Sequence, residues 1–280
     1  TFAGGFTGVI MAEASARTVD RQRGRALGWV MAGQSFSLLL GVPLAAWVGT
    51  YIGWRGVALA VGGIAVLAAV GLLVTTLTPA EAPRSGSATR PTMRGAMSGP
   101  VLRLLAMGVA ERLCYGISVV YFATFLQATY GLTPAGVAIP LAVIAVGNIL
   151  GTVVGGQMAD RMRNRLHVFA GAMAASAVVA LALYGWTPGL VTTVGLGFAY
   201  VFVNAIARPS LMAALANVPD EIRGTVLGLN VTSASFGWLG AAALGGWVMA
   251  AAGFGGFGPL SAAAAIAGAA LALARPVARG

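Results

Sequence analysis

The sequence predicts an all-α integral membrane protein, because three features of its composition agree. Only 9% of its 280 residues are charged, whereas soluble proteins carry about 25%. Hydrophobic residues make up 58% of the chain, and the mean hydropathy is +0.87. Glycine occurs 41 times, roughly twice its usual share of about 7%, as is typical of membrane helices that pack closely. A soluble fold of this size could not cover its surface with so few charges.

Nine membrane spans are predicted from the positions of the charges. Five long stretches lack Asp, Glu and Arg: 26–54, 56–80, 113–159, 168–207 and 224–274. A membrane helix needs about 20 apolar residues, so the two shorter stretches hold one span each. The three longer ones hold two spans each, with a Gly- or Pro-containing break near the middle. With the opening segment and the segment from Val101, the spans lie near 2–17, 26–50, 54–77, 101–127, 134–158, 166–186, 189–213, 225–251 and 256–274.

The arginines predict the orientation of these spans. All 17 basic residues are Arg. Fourteen fall in one alternate set of turns and in the C-terminal tail, whereas the other set holds only Arg55. The positive-inside rule places the Arg-rich turns and the C-terminus in the cytoplasm, with the protein in the plasma (inner) membrane. The net charge of +10 is therefore an orientation signal in the lipid bilayer, and no nucleic-acid partner is expected. Residues 78–100 are rich in Pro, Ser, Thr, Gly and Arg, which predicts a flexible cytoplasmic linker.

An internal repeat predicts two parallel bundles of helices. Residues 23–54 and 223–254 align without a gap and share 11 of 32 residues, where about three would match by chance. Both copies begin at an Arg-Gly pair and run outward, so the repeats are parallel. The domains are predicted to be a partial N-terminal bundle at 1–77, the linker at 78–100 and a six-helix bundle at 101–280. Counterparts of three helices of the second bundle are missing from the first, so we expect the chain to be a fragment.

A loop motif carries a resemblance to a known family. Residues 156–165, which read Gly-Gln-Met-Ala-Asp-Arg-Met-Arg-Asn-Arg, resemble the signature Gly-x-x-x-Asp-Arg-x-Gly-Arg-Arg/Lys of the major facilitator superfamily. Gly156, Asp160, Arg161 and Arg165 match, while Arg163 replaces a Gly and Asn164 an Arg. The chain is similar to spans four to twelve of that family's twelve. The resemblance implies that the motif clasps neighbouring helix ends in one gating state; ordinary positive-inside charge is the alternative.

The segment from Arg23 to Leu44 is similar to the drug and sugar efflux branch, closest to arabinose-efflux-like members. Gly41 and Pro43 stand where that branch has a Gly-Pro motif, and they predict a helix kink or close helix packing. The resemblance implies a monomeric secondary transporter without a cofactor, which exports a small drug-like or sugar-like solute by alternating access and is driven by protons. An importer of sugars or carboxylates is the nearest alternative. A membrane sensor or assembly protein that has lost transport is another.

Three ionisable side chains are predicted to lie inside the membrane, where such groups are costly and usually functional. Glu111 lies near the midplane, and Tyr115 shares its helix face. Because burial favours the neutral form of a carboxyl group, Glu111 is a candidate proton carrier; a structural ion pair is the alternative. Arg112 is turned about 100° from Glu111 around the helix, so the two are expected to lie on different faces. Arg112 is expected either to bind an anionic group of the substrate or to hold the charge of Glu111 as a structural pair. Arg208 is expected either to line the cavity or to extend its side chain to the cytoplasmic surface.

Several uncharged residues complete the predicted substrate site. Gln34, Asn148, Asn204 and Asn230 are candidate ligands, and each is equally well explained as a hydrogen bond between helices. Glu13 lies one turn before Arg17, and the two are assigned to the cytoplasmic charge cluster. No nucleotide-binding, catalytic or metal-binding motif is present in the sequence, so neither an enzyme nor an ATP-driven pump is expected.

Overall fold

A computed structural model describes residues 40–76, 97–162 and 164–274. Within these residues, seven helices are long and apolar enough to cross a membrane. The predicted span 2–17 and most of the span 26–50 lie outside the described residues, as do Glu13, Arg17 and Gln34. The count of nine spans therefore stays a prediction, whereas the all-helical membrane architecture agrees with every described element.

The helix bounds follow the predicted spans from 101 onward to within a few residues. The helices are α1 (Val42–Thr76), α2 (Gly99–Tyr130), α3 (Ala138–Arg161), α4 (Arg165–Gly185), α5 (Leu190–Ala216), α6 (Asp220–Ala252) and α7 (Phe257–Leu273), with one 3-10 turn at Phe254–Gly256. Gly131 ends α2 in the left-handed conformation and donates its N–H to the carbonyl of Gln127, as glycine does at many helix ends. Breaker residues in the sequence therefore mark the real turns.

Two glycines that correspond in the repeat share an unusual backbone conformation. Gly53 interrupts α1 with φ 67° and ψ 171°, and Gly253 ends α6 with φ 64° and ψ −161°. Among the described residues, Gly131 is the third residue with positive φ, a region that glycine enters without steric cost. The break at Gly53 falls where the sequence predicts the turn between the spans 26–50 and 54–77. These two glycines therefore match in the sign of φ as well as in their position in the repeat.

Helix α2 lies at the centre of the packing and contacts α5, α6 and α7, while α5 also packs against α3 and α4. Three glycines of α3, each one turn apart, make the contact with α5. A Cβ on Gly151 or Gly155 would overlap the backbone of α5 at Phe202 or Ile206, and one on Gly147 would lie 3.0 Å from the carbonyl oxygen of Phe198. Small residues that let backbones approach are the usual means of association in membranes.

The contact between α2 and α6 also depends on glycine. A Cβ on Gly237 would lie 2.8 Å from the carbonyl oxygen of Val109, and one on Gly116 would lie 2.6 Å from the Cβ of Ala241. This close approach fixes α6 beside the ionisable residues of α2. Large apolar side chains cover much of the outer surface, as shown by the exposure of 77% for Ile139 and 70% for Trp247.

Candidate functional site

Three ionisable side chains form one cluster between α2 and α5. The Nη2 and Nε atoms of Arg208 donate hydrogen bonds to Oε1 of Glu111 at 3.0 and 3.3 Å. Nε of Arg112 lies 3.5 Å from the other oxygen, Oε2. Only 1% of the Glu111 side chain is exposed, against 14% for Arg208 and 22% for Arg112. The carboxylate is therefore enclosed, and the two guanidinium groups lie on its more open side.

An ion pair was the alternative predicted for Glu111, but the sequence did not identify Arg208 as the partner. Glu111 lies twelve residues into α2, about 18 Å along the helix axis, while Arg208 is eight residues from the end of α5, about 12 Å. Because α2 and α5 run in opposite directions, these depths differ by about 6 Å, a distance that the long side chain of Arg208 spans. Arg112 was expected on a different face of the helix, with pairing to Glu111 as one of its alternatives, and its long side chain allows Nε to reach the neighbouring carboxylate. Spacing along one helix therefore could not exclude the contact.

Two aromatic rings flank the cluster. The central guanidinium carbon of Arg208 lies 5.0 Å from the centroid of the Tyr115 ring, within the range of a cation–π contact. Trp238 of α6 meets Tyr115 edge-on, with ring centroids 5.7 Å apart. Tyr115 is buried, whereas Trp238 is partly exposed. The cluster therefore lies beside two aromatic rings in contact, and the ring of Trp238 is the partly exposed one.

Asn230 of α6 lies beside both helices that form this cluster. Its Nδ2 is 3.7 Å from the Sδ atom of Met212, which follows Arg208 by one helical turn. Its Oδ1 lies 3.4 Å from the position that a Cβ on Gly108 would take. Asn230 is thus one turn along α2 and α5 from the ion pair, and the structure brings it together with Glu111, Arg112, Arg208 and Tyr115 in one region.

The other two described amides are buried in separate helix contacts. Asn204 of α5 is fully buried, and its Nδ2 lies 3.8 Å from Sδ of Met173 in α4. Asn148 of α3 is 4% exposed and lies among the glycines that contact α5. The Oδ1 atoms of both have no hydrogen-bond partner among the described residues. Asn204 lies one turn before Arg208 on α5, but among the described residues it forms no hydrogen bond with the ion cluster.

A buried polar line in the bundle interior was missed by sequence reasoning. The hydroxyl group of Tyr200 donates to the carbonyl of Cys114 at 2.9 Å, and the thiol of Cys114 donates to the carbonyl of Ser261 at 3.4 Å. These residues are buried. The four-residue spacing of Tyr200, Asn204 and Arg208 along α5 was an available signal, but small hydroxyl groups are too common in membrane helices to stand out.

The loop motif joins the ends of α3 and α4. Arg165 opens α4 and donates from Nε to the carbonyl of Ala159 in α3 at 3.2 Å. Asn164 caps α4 by accepting the N–H of Leu166 at 3.2 Å. Asp160 and Arg161 are exposed, and Asp160 forms no ion pair within the part of the chain that the structure describes. The substitution of Asn164 for Arg therefore has a structural reason, because Asn is a strong helix cap.

Gly41 and Pro43 lie at the beginning of the described chain, where Gly41 is exposed and Pro43 is in the first turn of α1. Their predicted role in a kink depends on the preceding residues, which lie outside the described ranges, so it stays a prediction. No group of three His, Cys, Asp or Glu side chains occurs across 40–76, 97–162 and 164–274.

Several known proteins are similar to this chain over more than half of its length. The chain is 28% identical over 259 residues to the inner membrane transport protein YdhP of Escherichia coli K12, covering 89% of this chain and 63% of that protein. It is 28% identical to the chloramphenicol resistance protein of Streptomyces lividans, covering 65% of this chain and 45% of that protein. It is also 28% identical to monocarboxylate transporter 13 of Bos taurus, covering 83% of this chain and 55% of that protein.

The chain therefore spans less than two thirds of the length of these relatives. The sequence profile described as Major Facilitator Superfamily matches residues 1–204 and 104–280, which together include every position. The resemblance that the loop motif suggested is thus confirmed across the whole chain. This multi-pass membrane protein belongs to the major facilitator superfamily of transporters.

Proposed function

We propose that the protein is a secondary active transporter that exports a small organic solute in exchange for protons, with Glu111 as the proton carrier. The observation that carries the proposal is the enclosed Glu111 carboxylate, held by Arg208 at membrane depth. Ionisable groups at such positions are typically functional. Export, rather than import, is favoured because one relative is named a chloramphenicol resistance protein.

The chemistry of the pair provides a two-state element for alternating access. While Glu111 is ionised, Arg208 is held through two N–H donors on one oxygen. A proton on Glu111 removes the charge that holds Arg208, so the Arg208 side chain is released from the carboxyl group. A proton can bias the transporter only by this kind of differential stabilisation of its conformations. Rocking of the two bundles would then alternate access to a site between them.

The loop motif has a separate part in this proposal. Arg165 connects the ends of α3 and α4 in the conformation described here, and these ends lie on the side assigned to the cytoplasm. We expect the contact to hold the two helix ends together in one state and to open in the other. Asp160 and Arg161 are exposed and available for partners in the first bundle.

Import with protons is the second candidate, and it rests on different observations. The cluster contains two guanidinium groups and one carboxylate, an excess that suits a solute of negative charge. One relative is named a monocarboxylate transporter. Under this alternative the solute and the proton would move in the same direction.

Everted membrane vesicles that contain the intact protein test the role of Glu111. Glu111→Gln should abolish uphill, proton-driven solute flux, because a neutral amide cannot release a proton. Solute counterflow, which needs no proton cycle, should remain measurable. Glu81→Gln, at the matched residue type in the predicted linker, should leave both rates unchanged. Proton-driven flux at the normal rate in the Glu111→Gln protein would show that the coupling assignment is wrong.

A further inference from the structure

The ion cluster has more positive than negative charge. Glu111 is the one carboxyl residue that lies away from the helix ends in the described spans, while Arg112 and Arg208 both approach it. With Glu111 ionised, one guanidinium charge has no counterpart among the described residues. A single ion pair would be sufficient to hold α2 against α5. The second arginine is therefore not explained by folding, since an unneutralised charge at this depth is costly.

The unused hydrogen-bond donors belong mainly to Arg112. Arg208 directs two N–H groups at Oε1 of Glu111, whereas Arg112 makes one longer contact of 3.5 Å through Nε. A guanidinium group has five N–H donors in a planar fork. The terminal nitrogens of Arg112 have no partner among the described residues, and its side chain is the most exposed of the three. A group that approaches from the open side meets N–H donors before it meets the carboxylate.

The surroundings of these donors are aromatic. Tyr115 lies beneath Arg208, and Trp238 lies against Tyr115 with part of its ring exposed. Gly237, the neighbour of Trp238, lets α6 approach to the point where an added Cβ would lie 2.5 Å from the Cβ of Arg112. Trp238 and Arg112 are therefore held on adjoining surfaces. This arrangement suits a charged group with an attached apolar body better than it suits an inorganic ion.

We propose that Arg112 binds the anionic group of the transported solute, and that the solute is an organic carboxylate whose apolar body lies against Trp238. A carboxylate has the geometry for two parallel bonds to a guanidinium fork. Its charge would neutralise the cluster, with two guanidinium groups facing two carboxylates. The identity of the ligand as the cargo rests on the proposed transport function, but its binding does not.

Binding of matched acids and amides to the purified intact protein tests the proposal without any flux measurement. Benzoate and phenylacetate are compared with benzamide and phenylacetamide by calorimetry and by thermal shift. The acids are expected to bind at least tenfold more tightly than the amides, because only the acids carry a negative charge that can neutralise Arg112. Arg112→Gln should remove this preference, and it should not impair folding, since it leaves the pair of Glu111 and Arg208 balanced. Arg112→Lys should retain part of the preference, because Lys supplies the charge but not the planar fork.

Arg55→Gln is the matched control, since Arg55 contacts Trp54 far along the sequence from the cluster and should leave the preference intact. Equal binding of acid and amide, or no binding of either acid, would overturn the proposal. Retention of the preference in the Arg112→Gln protein would overturn it as well. Equal binding of acid and amide is the result expected if a carboxylate from another part of the protein already neutralises Arg112. Loss of transport with preferential acid binding intact would instead count against the proposed function alone.

Discussion

A double-mutant cycle at Glu111 and Arg208 measures the strength of the interaction on which the transport proposal depends. Two N–H groups of Arg208 lie 3.0 and 3.3 Å from one oxygen of Glu111. A hydrogen bond to a charged group contributes about 1.5–3 kcal/mol, and the second contact is longer and shares the same acceptor. With side-chain exposures of only 1% and 14%, solvent screening is slight. We therefore expect a coupling energy of about 2–3 kcal/mol.

The single variants should differ in their cost. Glu111→Gln leaves two guanidinium groups without a carboxylate, so we expect a loss of about 3 kcal/mol in the free energy of unfolding. Arg208→Gln should cost less, about 2 kcal/mol, because Arg112 can still neutralise Glu111. Unfolding by sodium dodecyl sulfate in mixed micelles provides the assay, and the cycle between Glu111 and Arg112 provides the control. A coupling energy below about 0.5 kcal/mol, the usual limit of additivity, would refute the idea that this pair holds α2 and α5 together.

The remaining predictions concern helix packing and are measured as thermal unfolding in detergent. Gly151→Ala should destabilise the protein by about 1–3 kcal/mol, because its Cβ would overlap the backbone of α5; Gly195→Ala, which has open space, should not, and equal effects would contradict the packing argument. Gly253→Ala should cost about 1–2 kcal/mol, because Ala disfavours φ of 64°, while Gly255→Ala serves as the neutral control. Asn164→Ala should cost about 1 kcal/mol through loss of the helix cap, and an unchanged stability would mean that the cap is not used.

The spans from residue 101 onward could be predicted because they depend on patterns that are local in the sequence. Charge-free length locates a membrane helix, and Gly53 and Gly253 mark the turns whether or not the helix partners are known. The pairing of Glu111 with Arg208 could not be predicted in this way. It joins residues 97 positions apart, and it depends on the relative depth and rotation of α2 and α5. These quantities are set by the glycine contacts on both sides of the bundle.

The sequence also did not predict which of the amide side chains lie beside the ion cluster and which are buried elsewhere. Asn148, Asn204 and Asn230 have the same side chain and were all candidates for the substrate site. Asn230 lies beside both helices of the ion cluster, because it is on the side of α6 that meets Gly108 and Met212. Asn204 instead lies against Met173. A residue type predicts what a side chain can bind, but its position around the helix decides what it meets.

The direction of transport depends on the sign of the linkage between the proton and the solute at this cluster. Coupling between two ligands is reciprocal, so each must change the affinity for the other by the same factor. A solute that needs the ionised Glu111 competes with the proton, and competition at one site suits exchange and therefore export. An anion on Arg112 is repelled by ionised Glu111, so protonation of Glu111 would strengthen binding of the anion, and the solute and the proton would travel together.

The Glu111→Gln protein represents the protonated state. If it binds benzoate about tenfold more tightly than the unaltered protein, a difference of about 1.4 kcal/mol, the linkage is positive and import becomes the better assignment. If it binds benzoate less tightly, Glu111 is needed to hold the arginines in place. The transporter that carries the solute, with both carboxylates ionised, is then the form that changes conformation. The export proposal stands in that case.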